Sequence, residues 1–328
     1  MAETVLVTGA TGFIGLALTK RLSAAGLRVR CLARPGSEVS RLALPGVEII
    51  RGDLLDSASL EAAVHGVSRV WHLAALVRPE GVLVSRKKLE EAFSAVNAGA
   101  TGGLALAAAR AGVKRFIYFS SISALGPGED LTDGAGPRPL TYYGKSKLAG
   151  ETALKDAARR TGLDHIILRP AMIYGAGTPG WAPLFRSVRR GVVAVPGKGE
   201  NRISVCFLEN MLDAALLAAE RAESGTALNI SEGSLTVREL LFLIGSLLGR
   251  EPALFGLPVN FLKAVSVTLD SLLRLAGLYL PGFMGADSAR LREACASWSH
   301  DAAGLKALGW RPAVPTKNGL AAALEVKP

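Results

Sequence analysis

The sequence predicts an α/β fold in which a doubly wound parallel sheet carries a smaller C-terminal lobe. In the first 173 residues, short apolar strands alternate with segments of helical periodicity, as in βαβ units. A glycine-rich turn, "TGATGFIG", follows the first strand directly. After about residue 174 the alternation gives way to Gly- and Pro-rich stretches such as "YGAGTPGWAPLFRS". A chain of 328 residues has room for such a domain and an added lobe.

The predicted elements follow one another in a regular order. The first strand runs from Val5 to Val7, and the glycine turn leads from it into a helix. Further along come the strands "RVRCLAR" and "VEIIRGD", the helix "SASLEAAVHG", the strand "RVWHLAA", the helix "EEAFSAVNAGATGGLALAAARAG", the strand "RFIYFSS", a helix with "YYGKSKLAGE", and the strand "DHIILRP". We assign 1–173 to the sheet domain and 174–328 mainly to the lobe, with some of its segments returning to the sheet.

Composition and charge narrow the partner classes. Hydrophobic residues make up 49% and aromatics only 6%, so the core is expected to consist mostly of Ala, Leu, Val and Ile. The net charge of +10 favours anionic partners, which include phosphorylated cofactors, acidic membrane surfaces and nucleic acid. No basic stripe interleaved with aromatics supports nucleic-acid binding, so a basic, solvated surface is the preferred interpretation.

Cysteine and histidine usage points to a cytoplasmic protein without a metal site. Three scattered cysteines without CxxC spacing suggest a reducing compartment, and four scattered histidines form no metal-ligand pattern. The N-terminus lacks a signal-peptide layout, because its first apolar run leads straight into glycines. No run of 18 uncharged apolar residues predicts a membrane span.

The glycine turn predicts a dinucleotide site. Gly9 permits a tight turn out of the strand, Gly12 lets the backbone approach a pyrophosphate, and Gly15 lets helix and strand pack closely. The N-terminus of the following helix offers free N–H groups and partial positive charge to the phosphates. The alternative is an ordinary βα turn, which the position between the first strand and a helix disfavours.

The end of the second strand bears on the cofactor. An NAD site usually offers an Asp or Glu there for the ribose 2′-hydroxyl. The chain reads "RCLARPGS", with Arg34 and no carboxylate, which favours the 2′-phosphate of NADP and leaves NAD as the alternative. The alternative is that Arg34 faces solvent or stacks on adenine. Asp53 is a candidate for the adenine amino group or for a helix cap.

The stretch "LTYYGKSKLAGE" places Tyr143 and Lys147 one helical turn apart, whereas Tyr142 has no such partner. A nearby ammonium favours phenolate, so it lowers the pKa of a tyrosine from about 10 and suits it to proton transfer. A second donor for the substrate oxygen is available in "FSSIS" at the end of a strand. An amphipathic helix with a snorkelling lysine is the competing interpretation of the pair.

Together, these motifs make the chain resemble the extended short-chain dehydrogenases/reductases, nearest the 3β-hydroxysteroid dehydrogenase-like and dihydroflavonol reductase-like branches. The matching stretches cover essentially the whole chain: "TGATGFIG", "GDLLD", "HLAA", "VNAGAT", "FSSISALG", "YYGKSK" and "LRPAMIYG". The resemblance implies a Rossmann-type domain and a substrate-binding lobe.

The resemblance also implies roles for individual residues. Tyr143 is the implied general acid/base, Lys147 the residue that tunes it and binds the nicotinamide ribose, and Ser121 the catalytic donor, with Ser123 as alternative. Asn97 is implied at a helix bend or water chain that serves the lysine. The implied cofactor contacts are Gly9, Thr11, Gly12, Phe13, Ile14, Gly15, Arg34, Asp53, Leu54, Ala74, Ala75, Asn97, Tyr143, Lys147 and Pro170. Implied substrate contacts are Ser123, Tyr174 and Arg202.

Two kinds of reaction use the triad of Ser121, Tyr143 and Lys147 in enzymes of this type. One is net transfer of a hydride between nicotinamide and a secondary alcohol or ketone. The other is epimerisation or dehydration of a nucleotide- or lipid-linked sugar with retained cofactor. Sugar-nucleotide enzymes of this type commonly carry "HVDD" where this chain has "CFLEN" after Arg202. The departure favours the oxidoreductase, and the epimerase/dehydratase is the runner-up. A non-catalytic dinucleotide sensor is the third hypothesis, which the intact triad argues against.

An unusually apolar segment lies within 259–280. Its apolar residues recur at helical spacing, and Lys263, Asp270 and Arg274 interrupt any membrane span. One interpretation is a helix that lies on a membrane surface. The other, slightly preferred, is a lobe helix that covers an apolar pocket or a subunit contact, as in a homodimer. Both suit an apolar small-molecule substrate.

Overall fold

The structure is a computed structural model that describes residues 3–78, 83–178, 180–281 and 287–325. It confirms the predicted α/β class. The strands are β1 (Thr4–Thr8), β2 (Arg28–Ala33), β3 (Val47–Arg51), β4 (Arg69–His72), β5 (Val84–Ser85), β6 (Arg115–Phe119), β7 (Gly128–Leu131), β8 (His165–Pro170), β9 (Met172–Tyr174), β10 (Val192–Pro196), β11 (Arg202–Phe207), β12 (Ala227–Ile230), β13 (Ser234–Thr236), β14 (Ala253–Leu257), β15 (Leu278–Tyr279) and β16 (Trp298–His300).

The α-helices occupy the segments between these strands. They are α1 (Phe13–Ala24), α2 (Ser57–Val64), α3 (Arg86–Ser94), α4 (Ala100–Arg110), α5 (Tyr142–Thr161), α6 (Ala182–Arg190), α7 (Leu208–Arg221), α8 (Val237–Leu247), α9 (Val259–Leu275), α10 (Ser288–Cys295), α11 (Ala303–Ala307) and α12 (Thr316–Glu325). The sequence predicted α1, α2, α7 and α8 within a few residues of these bounds, and it predicted α5 without its C-terminal end.

A seven-stranded parallel sheet in the order β12-β8-β6-β4-β1-β2-β3 organises the molecule. The order reverses at β1, between β4 and β2, and such a switch point opens a crevice at the carboxyl ends of the strands. The edge strand β12 comes from the C-terminal half of the chain and pairs with β8.

Side chains of this sheet point alternately into two hydrophobic cores. Along β8, Ile166 and Leu168 enter the core that includes residues of α1 and α7, whereas Ile167 enters the core formed with α2, α4 and α5. All three are fully buried. A strand buried on both faces therefore reads as a continuous apolar run, as "HIIL" does.

The lobe is built from small sheets over the carboxyl edge. One sheet has the order β13-β11-β16-β7, with β9 pairing to β11, and two strand pairs are β10–β14 and β15–β5. A third hydrophobic core lies here, around Trp181, Val205, Leu240 and Leu320.

Helices α3 and α4 form one continuous helix, Arg86–Arg110, with a π turn at Ala95–Gly99. Among the described residues it is the helix long and apolar enough to cross a membrane, with a mean hydropathy of 1.3. Its residues Leu104, Ala105 and Ala108 are fully buried against the sheet. The helix therefore belongs to the core of the sheet domain.

Candidate active site

A cleft of about 620 Å³ lies at the carboxyl edge of the sheet. The residues that line this cleft include nearly all of the implied cofactor and catalytic residues. These are Gly9, Thr11, Gly12, Phe13, Ile14, Gly15, Arg34, Asp53, Leu54, Ala74, Ala75, Ser121, Tyr143, Lys147 and Pro170. Residues from the ends of six neighbouring strands thus meet in one concave surface.

Two glycines shape the start of this cleft. Gly9 has φ +74°, and a Cβ there would lie 2.7 Å from the backbone nitrogen of Ala74. A Cβ at Gly15 would collide with the carbonyl oxygen of Gly9. Any side chain at Gly15 would therefore push α1 away from β1. The two positions keep the helix N-terminus open toward the cleft, which suits a phosphate group.

The end of β2 presents a basic loop. Arg34 and Ser37 both line the cleft, and Arg34 is exposed. The guanidinium of Arg51 fastens this loop by donating to the carbonyl oxygens of Arg34 at 3.0 Å and Ser37 at 2.9 Å. Ser37 was not predicted as a site residue, although its position in "RPGS" just after the second strand places it near the predicted cofactor site.

Asp53 faces the same part of the cleft. Its Oδ1 accepts a hydrogen bond from the backbone of Leu55 at 2.9 Å. The cap of α2 is instead Asp56, whose carboxylate accepts from the backbones of Ala58 and Ser59. The alternative of Asp53 as the helix cap is therefore wrong.

Tyr143 lies in the first turn of α5, which Thr141 caps by accepting from the backbone of Gly144. Burial raises the pKa of the Tyr143 phenol to about 12, while the Ser121 hydroxyl acts in the opposite direction. The sequence led us to expect that Lys147 lowers this pKa. That expectation is wrong, because desolvation of the buried phenol is the largest effect on its pKa. The phenol is neutral at pH 7 and holds a proton that it can donate.

Ser121 follows β6 and lines the cleft with Tyr143. Its Oγ accepts a hydrogen bond from the backbone N–H of Ser123 at 3.1 Å. Because this bond uses an oxygen lone pair, the hydroxyl proton of Ser121 is available for a substrate oxygen.

Lys147 is only 1% exposed. Its ammonium donates to the carbonyl oxygen of Phe119 at 2.6 Å and lies 4.2 Å from the centre of the Tyr118 ring. Desolvation lowers the pKa of Lys147 to about 7, although the charge of Glu151 acts against this shift. The charge of this side chain therefore responds to small changes in its surroundings near neutral pH.

A buried ion pair supports the triad and was missed from the sequence. Glu151 and Arg169 form a bidentate pair, with Oε1 at 2.8 Å from Nε and Oε2 at 2.6 Å from Nη2. Ser120, next to Ser121, donates to the same carboxylate at 2.6 Å. The pair joins α5 to the ends of β6 and β8. Its sequence signal was the spacing of Glu151, one further helical turn beyond Lys147.

Asn97 sits in the π turn and does not line the cleft. Its Oδ1 accepts from the Leu76 backbone at 2.7 Å, and its Nδ2 donates to the Leu76 carbonyl and the Ser146 hydroxyl, both at 2.8 Å. Leu76 does line the cleft. The structure thus assigns Asn97 to positioning, as a clamp between the helix bend, the wall of the cleft and α5.

Tyr142 and Tyr143 have different surroundings. The Tyr142 hydroxyl accepts from Arg86 Nη1 at 3.2 Å, and its ring stacks on Phe93 and meets Tyr279 edge-on. Tyr142 does not line the cleft. It belongs to an apolar cluster whose buried centre is Leu89, Phe93 and Tyr279. Packed against this centre are Leu76, Val84, Tyr142 and Tyr143.

Three implied substrate contacts lie away from the cleft. Ser123 is half-buried and is not among the lining residues. Tyr174 is fully buried in the core of the lobe, where its hydroxyl donates to Glu232 at 3.1 Å. The guanidinium of Arg202 donates to the side-chain and backbone oxygens of Ser234 at 3.0 and 2.7 Å. These placements argue against direct substrate contact by Tyr174 and Arg202.

Comparison with known protein sequences identifies a common family. A family model described as "NAD dependent epimerase/dehydratase family" matches residues 5–231. An uncharacterized protein, y4nL of Sinorhizobium fredii, is 33% identical over 304 residues, which cover 85% of this chain and 83% of that protein.

Two relatives have named activities. A 3 beta-hydroxysteroid dehydrogenase/Delta 5→4-isomerase of Mycobacterium tuberculosis is 32% identical over 231 residues, 68% of this chain and 62% of the relative. A 2-alkyl-3-oxoalkanoate reductase of Shewanella oneidensis is 28% identical and is matched over 82% of this chain and 72% of its own. The chain thus spans less than two thirds of the dehydrogenase.

Solved structures share the fold over nearly the whole chain. The crystal structure of gox2253 superposes with a TM-score of 0.81 at 25% identity, covering 98% of this chain and 97% of that one. MoeE5 in complex with UDP-glucose and NAD gives a TM-score of 0.73 at 28% identity, covering 98% of both chains. The protein therefore belongs to the NAD-dependent epimerase/dehydratase family of extended short-chain dehydrogenases/reductases.

Proposed function

We propose that the protein is an NADP-preferring oxidoreductase that interconverts a ketone and a secondary alcohol on an apolar substrate. One observation carries the proposal. Tyr143 belongs both to the cleft that holds Ser121 and Lys147 and to the apolar cluster around Phe93 and Tyr279. A substrate whose oxygen reaches Tyr143 would therefore have hydrocarbon surface beside it.

A dinucleotide fits the carboxyl edge of the sheet. Gly12, the N-cap of α1, lines the cleft, and the first turn of this helix has neither a side-chain cap nor an acidic residue, so its N–H groups suit a phosphate. When bound there, the nicotinamide supplies or accepts the hydride. Lys147 and Pro170, at the other end of the cleft, are the residues proposed to contact the nicotinamide half.

The chain's own groups would manage the proton. The pKa of Tyr143 near 12 keeps its phenol neutral, so it can donate a proton to a carbonyl oxygen. Ser121 would donate a hydrogen bond to the same oxygen and stabilise negative charge as it develops. The neutral phenol is the protonation state that reduction of a ketone requires of this residue.

Preference for NADP rests on charge. Arg34 and Ser37 line the cleft where β2 ends, and Asp53 at the end of β3 is the acidic residue among the described lining residues. A guanidinium with a neighbouring hydroxyl suits a 2′-phosphate, whereas a 2′-hydroxyl is usually held by a carboxylate. NAD stays the alternative.

The apolar substrate class draws support from the relatives' names as well. A steroid dehydrogenase and a 2-alkyl-3-oxoalkanoate reductase both act on largely hydrocarbon compounds that carry an alcohol or ketone. By analogy, Leu76, which lines the cleft and packs against the cluster of Phe93 and Tyr279, is proposed as part of the wall that accepts the hydrocarbon portion.

The runner-up is a sugar epimerase or dehydratase with retained cofactor. It draws support from MoeE5, a structural neighbour that was solved in complex with UDP-glucose and NAD. Two observations weigh against it. Arg202, one of the implied substrate contacts, donates to Ser234, and Cys206, which stands where "HVDD" has its histidine, is fully buried. A non-catalytic sensor is less favoured, because Ser121, Tyr143 and Lys147 meet in one cleft.

We infer a cytoplasmic location. Cys31, Cys206 and Cys295 are all free thiols, and Cys31 and Cys206 are buried, which fits a reducing compartment. The proposed partners are a small-molecule substrate and, as an open alternative, a second copy in a homodimer, without nucleic acid.

Cofactor turnover tests the proposal. The purified protein would be mixed with NADPH and a panel of apolar ketones, cyclic and long-chain, and separately with UDP-sugars. We expect consumption of one NADPH per ketone reduced and no change in the sugars. A sugar product with unchanged cofactor would establish the epimerase instead. Cofactor binding without turnover on either panel would favour the sensor.

A further inference from the structure

Helix α9 exposes an apolar stripe to solvent, while its inner side contains polar residues beside half-buried leucines. Of its 17 residues, only Ser266 and Asp270 are buried, and both are polar. Its outer face, defined here as Phe261, Val265, Leu272 and Leu275, is 65%, 48%, 60% and 86% exposed. The spacing of these four residues places them on one stripe of the helix.

Ion pairing holds α9 in this orientation. The carboxylate of Asp270 pairs with Arg86 Nη2 and accepts from Arg274 Nε at 3.1 Å and from Ser288 Oγ at 2.6 Å. Arg86 in turn donates to the Leu278 carbonyl at 2.7 Å. Rotating the helix to bury its outer face would break this buried pair, which is costly. The exposure of the apolar stripe is therefore specified by the packing.

A second apolar surface continues from the N-terminus of α9. In the β10–β14 pair, Val193 and Val195 are buried, while Val192 and Phe255 point outward with exposures of 62% and 63%. The ends of these strands lie beside α9, since the Gly197 backbone donates to the Leu257 carbonyl at 3.0 Å and α9 begins two residues later.

The charges around these surfaces are predominantly positive. The segments 182–200 and 250–275 carry seven exposed cations: Arg186, Arg189, Arg190, Lys198, Arg250, Lys263 and Arg274. The acids of the same segments are Glu200 and Glu251, both exposed, and the buried Asp270. At Gly191, which follows Arg190 and precedes Val192, a Cβ would lie 3.5 Å from the Arg250 guanidinium. Cations thus border the outward side of the strand pair.

We propose that the outer face of α9, with Phe255 beside it, docks on a membrane surface that contains anionic lipids. The two segments that form these surfaces carry more exposed cations than acids, and this excess of positive charge beside exposed apolar side chains suits the boundary between acyl chains and acidic headgroups. A second copy of the chain is a poorer occupant. A two-fold symmetric contact through this face would set each copy's cations against those of its partner.

Vesicle partitioning of the full chain tests this proposal and is independent of turnover. We expect the protein to cosediment with phosphatidylcholine vesicles that contain phosphatidylglycerol, and to bind pure phosphatidylcholine vesicles about ten-fold or more weakly. Raising the salt concentration should weaken binding, because headgroup charges are screened. Failure of the wild-type protein to bind anionic vesicles would overturn the proposal.

Matched variants identify the surface. The pair Phe261→Glu with Leu272→Glu should lower partitioning about ten-fold or more, whereas Phe261→Leu with Leu272→Met should retain it. Lys198→Glu, an exposed cation beside the N-terminus of α9, should weaken binding at least about five-fold, while Lys114→Glu, an exposed cation just before β6, should stay within about two-fold. Thermal unfolding would verify that each variant is folded.

Two outcomes would contradict this assignment. Equal binding by the Glu pair and the wild-type protein would show that another surface contacts lipid. A wild-type dimer in light scattering that the Glu pair converts to monomer, without vesicle binding by either, would show that a second copy covers the face.

Discussion

The Lys147 ammonium donates to the Phe119 carbonyl at 2.6 Å from a fully buried position, and this pairing ties the amine of α5 to the end of β6. Burial lowers the pKa of Lys147 from 10.5 to about 7. The ammonium is present below that pH and lost as the pH rises through it. The side chain is thus charged or neutral at the cleft depending on pH.

This pKa predicts a pH dependence of cofactor affinity. The Kd for NADH should rise about ten-fold from about pH 6 to about pH 9, because the cation that attracts the anionic cofactor is lost. NADH is the better ligand for this pH titration than NADPH, because the 2′-phosphate of NADPH itself titrates near pH ~6. Lys147→Met should bind weakly with a nearly flat profile in fluorescence titrations. A variant that retains the wild-type slope would assign the titration to another group.

Tyr143→Phe should lower kcat by about 10²–10⁴-fold and change NADPH affinity little, because the lost hydroxyl acts on the substrate's proton. Tyr142→Phe is the matched control on the neighbouring residue, whose hydroxyl contacts Arg86 outside the cleft. It should keep kcat within about ten-fold. Steady-state kinetics with fluorescence titration measure both, and an inactive Tyr142→Phe with an active Tyr143→Phe would reverse the assignment.

Arg34→Ala should weaken NADPH about ten-fold or more and NADH by less than about three-fold, since a charge-assisted contact to the 2′-phosphate is lost. Arg28→Ala, at the opposite end of the same strand, is the control for a lost surface cation. Calorimetric titration with both cofactors decides the matter. Equal losses for the two cofactors would remove the basis for NADP preference.

Glu293 predicts a pH-dependent stability. Burial raises its pKa from 4.5 to about 7, so between these values the folded protein holds a proton that the unfolded chain releases. The free energy of unfolding therefore falls as the pH rises through this window. Glu293→Gln should be more stable than wild type by about 2 kcal/mol at about pH 8 and similar near pH ~4.5.

Urea unfolding at the two pH values measures this difference. Gln retains an acceptor for the Thr141 hydroxyl, which donates to Glu293 at 3.0 Å. Glu223→Gln, at an exposed position, should show no such difference. Parallel stability curves for wild type and Glu293→Gln would refute the assignment.

Breaking the pair of Glu151 and Arg169 should be strongly destabilising. Glu151→Ala leaves a buried guanidinium without its partner and should cost about 3–5 kcal/mol of unfolding free energy. The double variant Glu151→Leu with Arg169→Met should be more stable than Glu151→Ala, because it leaves no buried charge without a partner. Chemical denaturation of both variants tests this, and additive losses would show that the two residues act independently.

The sequence predicted the sheet domain well because its signals are local. Strands buried on both faces must be continuous apolar runs, and Gly9 and Gly15 are required by contacts within one strand-turn-helix unit. The spacing of Tyr143 and Lys147 on one helix is likewise a local property. Their roles, and the cofactor preference, stay predictions until the variants are tested.

Other features depended on distant parts of the chain. Tyr174 and Arg202 were expected near the substrate, yet Glu232 and Ser234 hold them elsewhere. Glu151 and Arg169 meet only because α5 packs across the ends of β6 and β8. No periodicity in the sequence encodes such pairings.

The sequence by itself determined the α/β class, the glycine turn and the spacing of the tyrosine and lysine, since each depends on neighbouring residues. Only the tertiary structure decided that the pKa of Tyr143 is raised and which way α9 faces. Desolvation by elements distant in sequence raises the pKa of the phenol, and the pairing of Asp270 with Arg86, 184 residues apart, turns the apolar stripe outward.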